Sequence, residues 1–183
     1  MRGSRGLLQG PPEVVAPRLL GWTFISAIGG VRTALSLTEV EAYGPDDPAS
    51  HSFRGRTPRN RSMFEKPGTL YVYRSYGVHW CANVVVGVLG IGAAVLLRAG
   101  IPIEGSEQMA KRRGRADHLA DGPGKLCQAM GITGADDGLD LLSPRSTVRL
   151  VPTKARHQPM ATKRIGISKA ADRNWRFVVD VRS

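Results

Sequence analysis

Chemistry in this chain has few places to sit. Glu41 ends an alternating segment, Thr33 to Tyr43 (TALSLTEVEAY), that reads as a β-strand. Side chains alternate along a strand, so Leu35, Leu37, Glu39 and Glu41 fall on one face and Ser36, Thr38, Val40 and Ala42 on the other. A glutamate on the face of two leucines is out of place: either the edge is wet there, or Glu41 is held beside a cleft as a candidate for chemistry. Arg98 sits in the apolar run Ala93 to Ala99 (AAVLLRA), where its charge requires a carboxylate, carbonyl or ligand partner. Tyr71 and Tyr73 share one face of a further strand, and Tyr76 stands at the turn that follows. An inward glutamate, a strand-borne arginine and aromatic walls would suit hydrolysis by a carboxylate-activated water beside a flat, π-rich group. No lysine neighbours Glu41 in sequence, which leaves an amine nucleophile unsupported. The chain shows no GxGxxG, Walker loop, paired metal carboxylates or Cys/His nucleophile pair.

The elements that must carry these residues are short. An amphipathic helix over residues 13–21 leads into a strand at 22–28, and Gly29-Gly30 turns the chain into the strand bearing Glu41. Residues 44–67 form a long polar segment holding His51, Arg54, Arg56, Arg59 and Arg61; ordered loops of such length are usually functional, and its arginines suit phosphate contact. Residues 69–86 read as a hairpin, Leu70 to Ser75 out and Val78 to Val86 back. An aromatic at its tip has little of its own hairpin to bury against, and exposed aromatics on basic surfaces stack on or wedge between bases. Helical character is expected over 102–115, and a short helix over 125–130 whose N-terminus, after Gly122-Pro123-Gly124, would suit a phosphate. Strands close the chain at 147–151 and 176–181, and residues 1–11 read as a flexible lead-in before one domain over 12–183.

Composition narrows the class. The 183 residues hold 26 Lys plus Arg against 15 Asp plus Glu, a formal charge of +11, which favours a polyanion such as nucleic acid. The longest uncharged apolar run, Val84 to Leu97, is shorter than the roughly 20 residues of a membrane-spanning helix. No signal-peptide core opens the chain. Cys81 and Cys127 have no metal-type spacing, so no metal or cofactor is expected, and a reduced, cytoplasmic setting is.

The run EVEAYGPDDPASHSFRGRTPRNRSMFEKPGTLYVYRSYGVHWCAN (Glu39 to Asn83), with AVLLRAGIPIEG, DGPGKLCQAMGI, RIGI and WRF further on, closely resembles the alkyladenine (3-methyladenine) DNA glycosylase family found in mammals and many bacteria. The resemblance covers roughly residues 12–180. It implies an α+β domain around a curved antiparallel sheet with a protruding hairpin. It also implies a monofunctional enzyme, expected to be monomeric, that flips damaged purines of the 3-methyladenine, hypoxanthine and ethenoadenine class from double-stranded DNA and hydrolyses the N-glycosidic bond, starting base excision repair. By the same resemblance Glu41 would activate the water, and Arg98 with the backbone carbonyl of Ile165 would position it. Tyr43, His51 and Tyr73 would enclose the flipped base, with Asn83 at the pocket floor disfavouring guanine. Tyr76 would fill the gap in the duplex, and Arg56, Arg59 and Lys125 would meet the DNA backbone. A basic binding module without catalysis would explain the charge and Tyr76, but not an inward glutamate near a buried arginine.

Overall fold

The strand that carries Glu41 departs from simple alternation, and the departure resolves its placement. In the computed structural model, which describes residues 2–153 and 158–179, β1 (Thr23–Ser26) and β2 (Thr33–Tyr43) form the expected hairpin. On its other side β2 pairs with β5 (Ala94–Glu104), Leu37 facing Gly100, Glu39 facing Ala99 and Val40 facing Leu97. Thr38 is therefore one residue too many on β2, and Arg98 one too many on β5. A bulge lets the chain change face. Leu35 and Leu37 before it and Val40 and Ala42 after it all enter the main core, while Glu39, Glu41 and Tyr43 turn to the opposite face. The expectation that Glu41 shares a face with Leu35 and Leu37 is thus corrected: strict period two does not survive a bulge.

Antiparallel pairing continues outward through β4 (His79–Val85) to β3 (Leu70–Ser75) on one side and through β1 to β6 (Val148–Val151) on the other. Beyond the bulge β2 exchanges β1 for β8 (Arg176–Val178), which in turn pairs with β7 (Met160–Thr162). The result is a curled, eight-stranded antiparallel sheet in an α+β domain, as the resemblance implies. Its helices are few. α1 (Arg2–Gly6) and α2 (Pro12–Val15) open the chain, and α3 (Ser106–Arg113) and α4 (Pro123–Met130) pack together, α4 against β4 and β5.

One face of the sheet buries Phe24, Leu70, Val72, Val84, Val95 and Leu97 with Met109, Leu126 and Met130 of the helices. The other face carries a smaller cluster, Met63, Tyr71, Val85 and Ala94, with Tyr43, Phe64 and Tyr73 against it. The loop of residues 44–67 folds over this second face. Ser52 donates to the Gly92 carbonyl at 2.7 Å, and Asn60 donates to the carbonyls of His51 at 2.9 Å and Gly55 at 3.0 Å. A side chain at Gly92 would meet the Ser52 Cβ at 2.4 Å, so a glycine is required where the loop comes down on the sheet.

Three expectations change. The lead-in forms α1 over Arg2–Gly6, Arg5 pairs with Asp140 at 2.9 Å, and Leu8 lies in the core, so residues 2–11 are tied down. Residues 102–104 prolong β5, and the helix begins only at Ser106, because Gly105 takes a left-handed turn that a Cβ would block against the Arg32 carbonyl. The closing strand ends at Val178, and residues 180–181 of its expected range lie outside the described residues. Among the described residues no helix is long and apolar enough to cross a membrane, and no cluster of three His, Cys, Asp or Glu forms.

Candidate active site

Five segments meet on the second face of the sheet. β2 supplies Glu39, Glu41 and Tyr43; β5 supplies Arg98; β8 supplies Arg176. The segment after β7 supplies Arg164 and Ile165, and the 44–67 loop supplies Asp47 and His51.

The Glu41 side chain is fully buried, and buried carboxylates persist where donors compensate them. Oε1 accepts the backbone N–H of Ile165 at 2.8 Å. Oε2 accepts the Tyr43 hydroxyl at 2.9 Å and an Arg98 terminal N–H at 3.3 Å. Burial pushes the Tyr43 phenol well above its ordinary range, and the Glu41 charge and hydrogen bond add to the shift, so Tyr43 stays protonated and donating. Burial alone would lower the Arg98 guanidinium; the carboxylates of Glu41 and Glu39 outweigh it and hold Arg98 charged.

Glu41, Tyr43, Tyr73, Arg98 and Ile165 line one cleft, with Tyr76 and Arg59 also on its wall. At one end Tyr43, His51 and Tyr73 join Tyr71, Met63 and Asn83 around a smaller pocket. The His51 and Tyr73 rings stand edge to face with centroids 4.5 Å apart. His51 Nδ1 shares a 2.9 Å hydrogen bond with the Tyr71 hydroxyl. Partial burial lowers the His51 pKa and the Arg59 charge lowers it further, which favours the neutral imidazole. Asn83 is buried in the pocket wall, where its amide donates to the Tyr71 carbonyl at 3.0 Å.

Tyr76 occupies the tip of the β3–β4 hairpin, 90% exposed and with a positive φ of 50°. A non-glycine residue in that region is strained, and so exposed a ring gains little burial in return.

Glu41, Tyr43, His51, Tyr73, Asn83, Arg98 and Ile165 are thus brought together, with Tyr76 and Arg59 on the cleft wall. Arg56 and Lys125 are not on it: Arg56 meets Glu65 at 3.4 Å, and Lys125 meets Asp121 at 2.9 Å. For Ile165 the contact observed is its N–H on Glu41, whereas the resemblance concerned its carbonyl. Sequence reasoning passed over Glu39, Arg164, Asp47 and Arg176. Arg164 and Asp47 form a fully buried ion pair, and the Arg164 guanidinium lies 4.8 Å from the Tyr43 ring centroid. Arg164 also donates to the Ala42 carbonyl at 3.0 Å, which joins β2, the His51 loop and the Ile165 segment at one group. Glu39 had a signal, two residues from Glu41 on a strand, but Arg164 has none in its local sequence.

Comparison with known proteins gives the family of the chain. The family model for methylpurine-DNA glycosylase matches residues 7–183. A protein of Agrobacterium fabrum is 52% identical over 167 residues, covering 89% of this chain and 81% of its own length. One from Mycobacterium tuberculosis H37Rv is 51% identical over 175 residues, covering 91% and 84%. One from Rhodopseudomonas palustris BisB18 is 50% identical over 166 residues, covering 89% and 80%. All three are provisionally named 3-methyladenine DNA glycosylase. With a family match over nearly its whole length and half its residues shared with such relatives, the chain belongs to the methylpurine-DNA glycosylase family, hydrolases of the N-glycosyl bond in DNA.

Proposed function

We propose that the protein removes alkylated and deaminated purines, of the 3-methyladenine and hypoxanthine class, from duplex DNA by flipping the nucleotide and directing a Glu41-activated water at the sugar. The observation that carries this reading is the junction of two spaces: an aromatic pocket of base-binding character opens on the cleft that holds Glu41 and Arg98. Tyr76 enters the stack as the nucleotide leaves, and the lesion base passes between Tyr43 and His51. The water oxygen bonds to C1′ while its proton passes to the Glu41 carboxylate. The bond from C1′ to the base nitrogen breaks, and its electron pair departs with the base. A methylated, cationic purine leaves as a neutral molecule, and the aromatic walls favour its charge; neutral hypoxanthine leaves as an anion that takes up a proton from solvent. The product is an abasic strand with its phosphodiester intact, and the protein works as a monomer on one lesion.

Single-turnover base release from duplexes carrying one hypoxanthine or one 3-methyladenine tests this. Wild type is expected to release at least one of the two, leaving a strand cut only by added alkali. Glu41→Gln is expected to slow release by about 10²- to 10⁴-fold with lesion-DNA binding retained. Equal release by both proteins would remove Glu41 from the mechanism; binding without release by wild type, on either lesion, would favour a non-catalytic module.

A further inference from the structure

Behind Glu41 lies a second carboxylate that the reaction scheme above does not use. Glu39 Oε1 accepts the Arg98 Nε–H at 2.6 Å and the Arg176 Nε–H at 2.7 Å. Arg176, which faces Glu41 across the β2–β8 ladder, also donates a terminal N–H to Thr162 Oγ1 at 3.1 Å. The chain of contacts runs Thr162, Arg176, Glu39, Arg98, Glu41, from the short strands β7 and β8 to the candidate base. Side-chain exposures along it are 21% at Arg176, 19% at Glu39, 12% at Arg98 and none at Glu41. Two carboxylates and two guanidiniums balance there, largely out of water.

We infer that Glu39 is a positioning residue: it shares the Arg98 guanidinium with Glu41 and holds it back from the base. The inference rests on Glu41 being the base. Arg98 gives its Nε–H to Glu39 in a short, charge-assisted bond, and only a terminal N–H reaches Glu41, at the longer 3.3 Å. An arginine free to choose would close on a lone carboxylate in a bidentate pair, occupying the lone pairs that must receive the water's proton. Pinned by Glu39, which Arg176 anchors from behind, Arg98 balances the charge of Glu41 without closing on it. The bulges produce this geometry, since they turn Glu39 and Glu41 to one face and set Arg98 opposite them.

The test is a double-mutant cycle on single-turnover release of the base that wild type removes, using wild type, Glu39→Gln, Arg98→Gln and the double variant. Glu39→Gln is expected to slow release by about 10- to 100-fold, the scale of a misplacement near 1 Å, with affinity for the lesion duplex unchanged. The double variant is expected to be no slower than Arg98→Gln alone, because Glu39 acts only through Arg98. Effects that multiply, or a Glu39→Gln rate equal to wild type, would overturn the role. Should Glu39→Gln melt below assay temperature, Glu39→Asp, which keeps the charge but shortens its reach, enters the same cycle with the same expectation and a smaller loss. Wild type releasing no base would overturn the glycosylase reading and this role with it; wild-type release with an additive cycle would overturn this role alone.

Discussion

His51 stands at the mouth of the pocket, where two influences push its titration the same way. Its ring meets the Tyr71 hydroxyl on one nitrogen and stands roughly perpendicular to the Tyr73 ring, and both burial and the Arg59 charge disfavour the imidazolium. A neutral imidazole presents one donor and one acceptor, whereas the charged form would bring a second donor and repel a cationic purine. The His51 ring resonances are therefore expected to titrate below the ordinary midpoint of about 6.5, and Arg59→Gln is expected to move that midpoint upward. An unshifted midpoint, or no response to Arg59→Gln, would show that solvent at the open edge of the ring governs it. The sign for stability follows: with the folded pKa depressed, the unfolded chain binds the extra proton first. His51 thus contributes stability above about pH 6.5 that is lost as pH falls toward its folded midpoint. Glu39 acts in the same direction lower down. Burial alone would raise its pKa, but the bonds and charges of Arg176 and Arg98 bring it below the carboxylate norm, so its contribution is present above the unfolded value and disappears on acidification through the folded one.

Among the elements, the β3–β4 hairpin separates function from stability at a single position. Tyr76 has a left-handed backbone and is almost wholly exposed, so the free protein bears its strain and gains no burial from it. Tyr76→Asn, whose residue tolerates that backbone, is expected to melt no lower than wild type and to bind a lesion duplex about tenfold or more weakly, the scale of one lost stacking contact. A parallel fall in melting temperature would make the ring a structural part of the hairpin. This hairpin was legible in sequence because alternation on both strands and Tyr76-Gly77 between them agree on one register. The bulge in β2 was not, since Thr38 is an ordinary strand residue and the extra position is defined only by the partner β5. Glu41 was picked out by its conflict with that alternation, before the cause of the conflict was visible. The α1 segment departs from the expected lead-in for a similar reason: glycines and arginines look like a loose tail until Arg5 finds Asp140, far along the chain, and Leu8 finds the core. His51 and Asn83 entered by family resemblance, because their neighbours across the pocket come from other strands and loops. Arg164 entered only within the RIGI match and without a role, its partners Asp47 and Ala42 being more than a hundred positions away.

For the whole molecule, the formal charge of +11 acts together with the way acids are withdrawn from the surface. Glu41 and Asp47 are fully buried, and Glu39 is largely so, while Arg54 beside His51, Arg59 on the cleft wall and Arg74 on the hairpin stay exposed. Arg59 lies on the cleft wall itself, its guanidinium held by the Arg74 carbonyl at 3.1 Å and, among the described residues, by no carboxylate, so its charge is available to a phosphate. Binding to a polyanion through such groups releases counterions, and log affinity falls linearly with log salt in proportion to the phosphates neutralised. Arg59→Gln is expected to lower that slope by about 1, the signature of one lost phosphate contact, while weakening lesion and undamaged duplexes alike. Tyr76→Ala removes no charge, so its salt line is expected to run parallel to wild type and lower, with the loss confined to duplexes from which a base is flipped. Equilibrium binding to both duplexes from roughly 50 to 200 mM salt separates the two contributions. A flat wild-type profile would mean that the surface charge takes no part in binding, and a slope altered by Tyr76→Ala would mean that the hairpin tip fixes the protein's register on the phosphates rather than replacing a base in the stack.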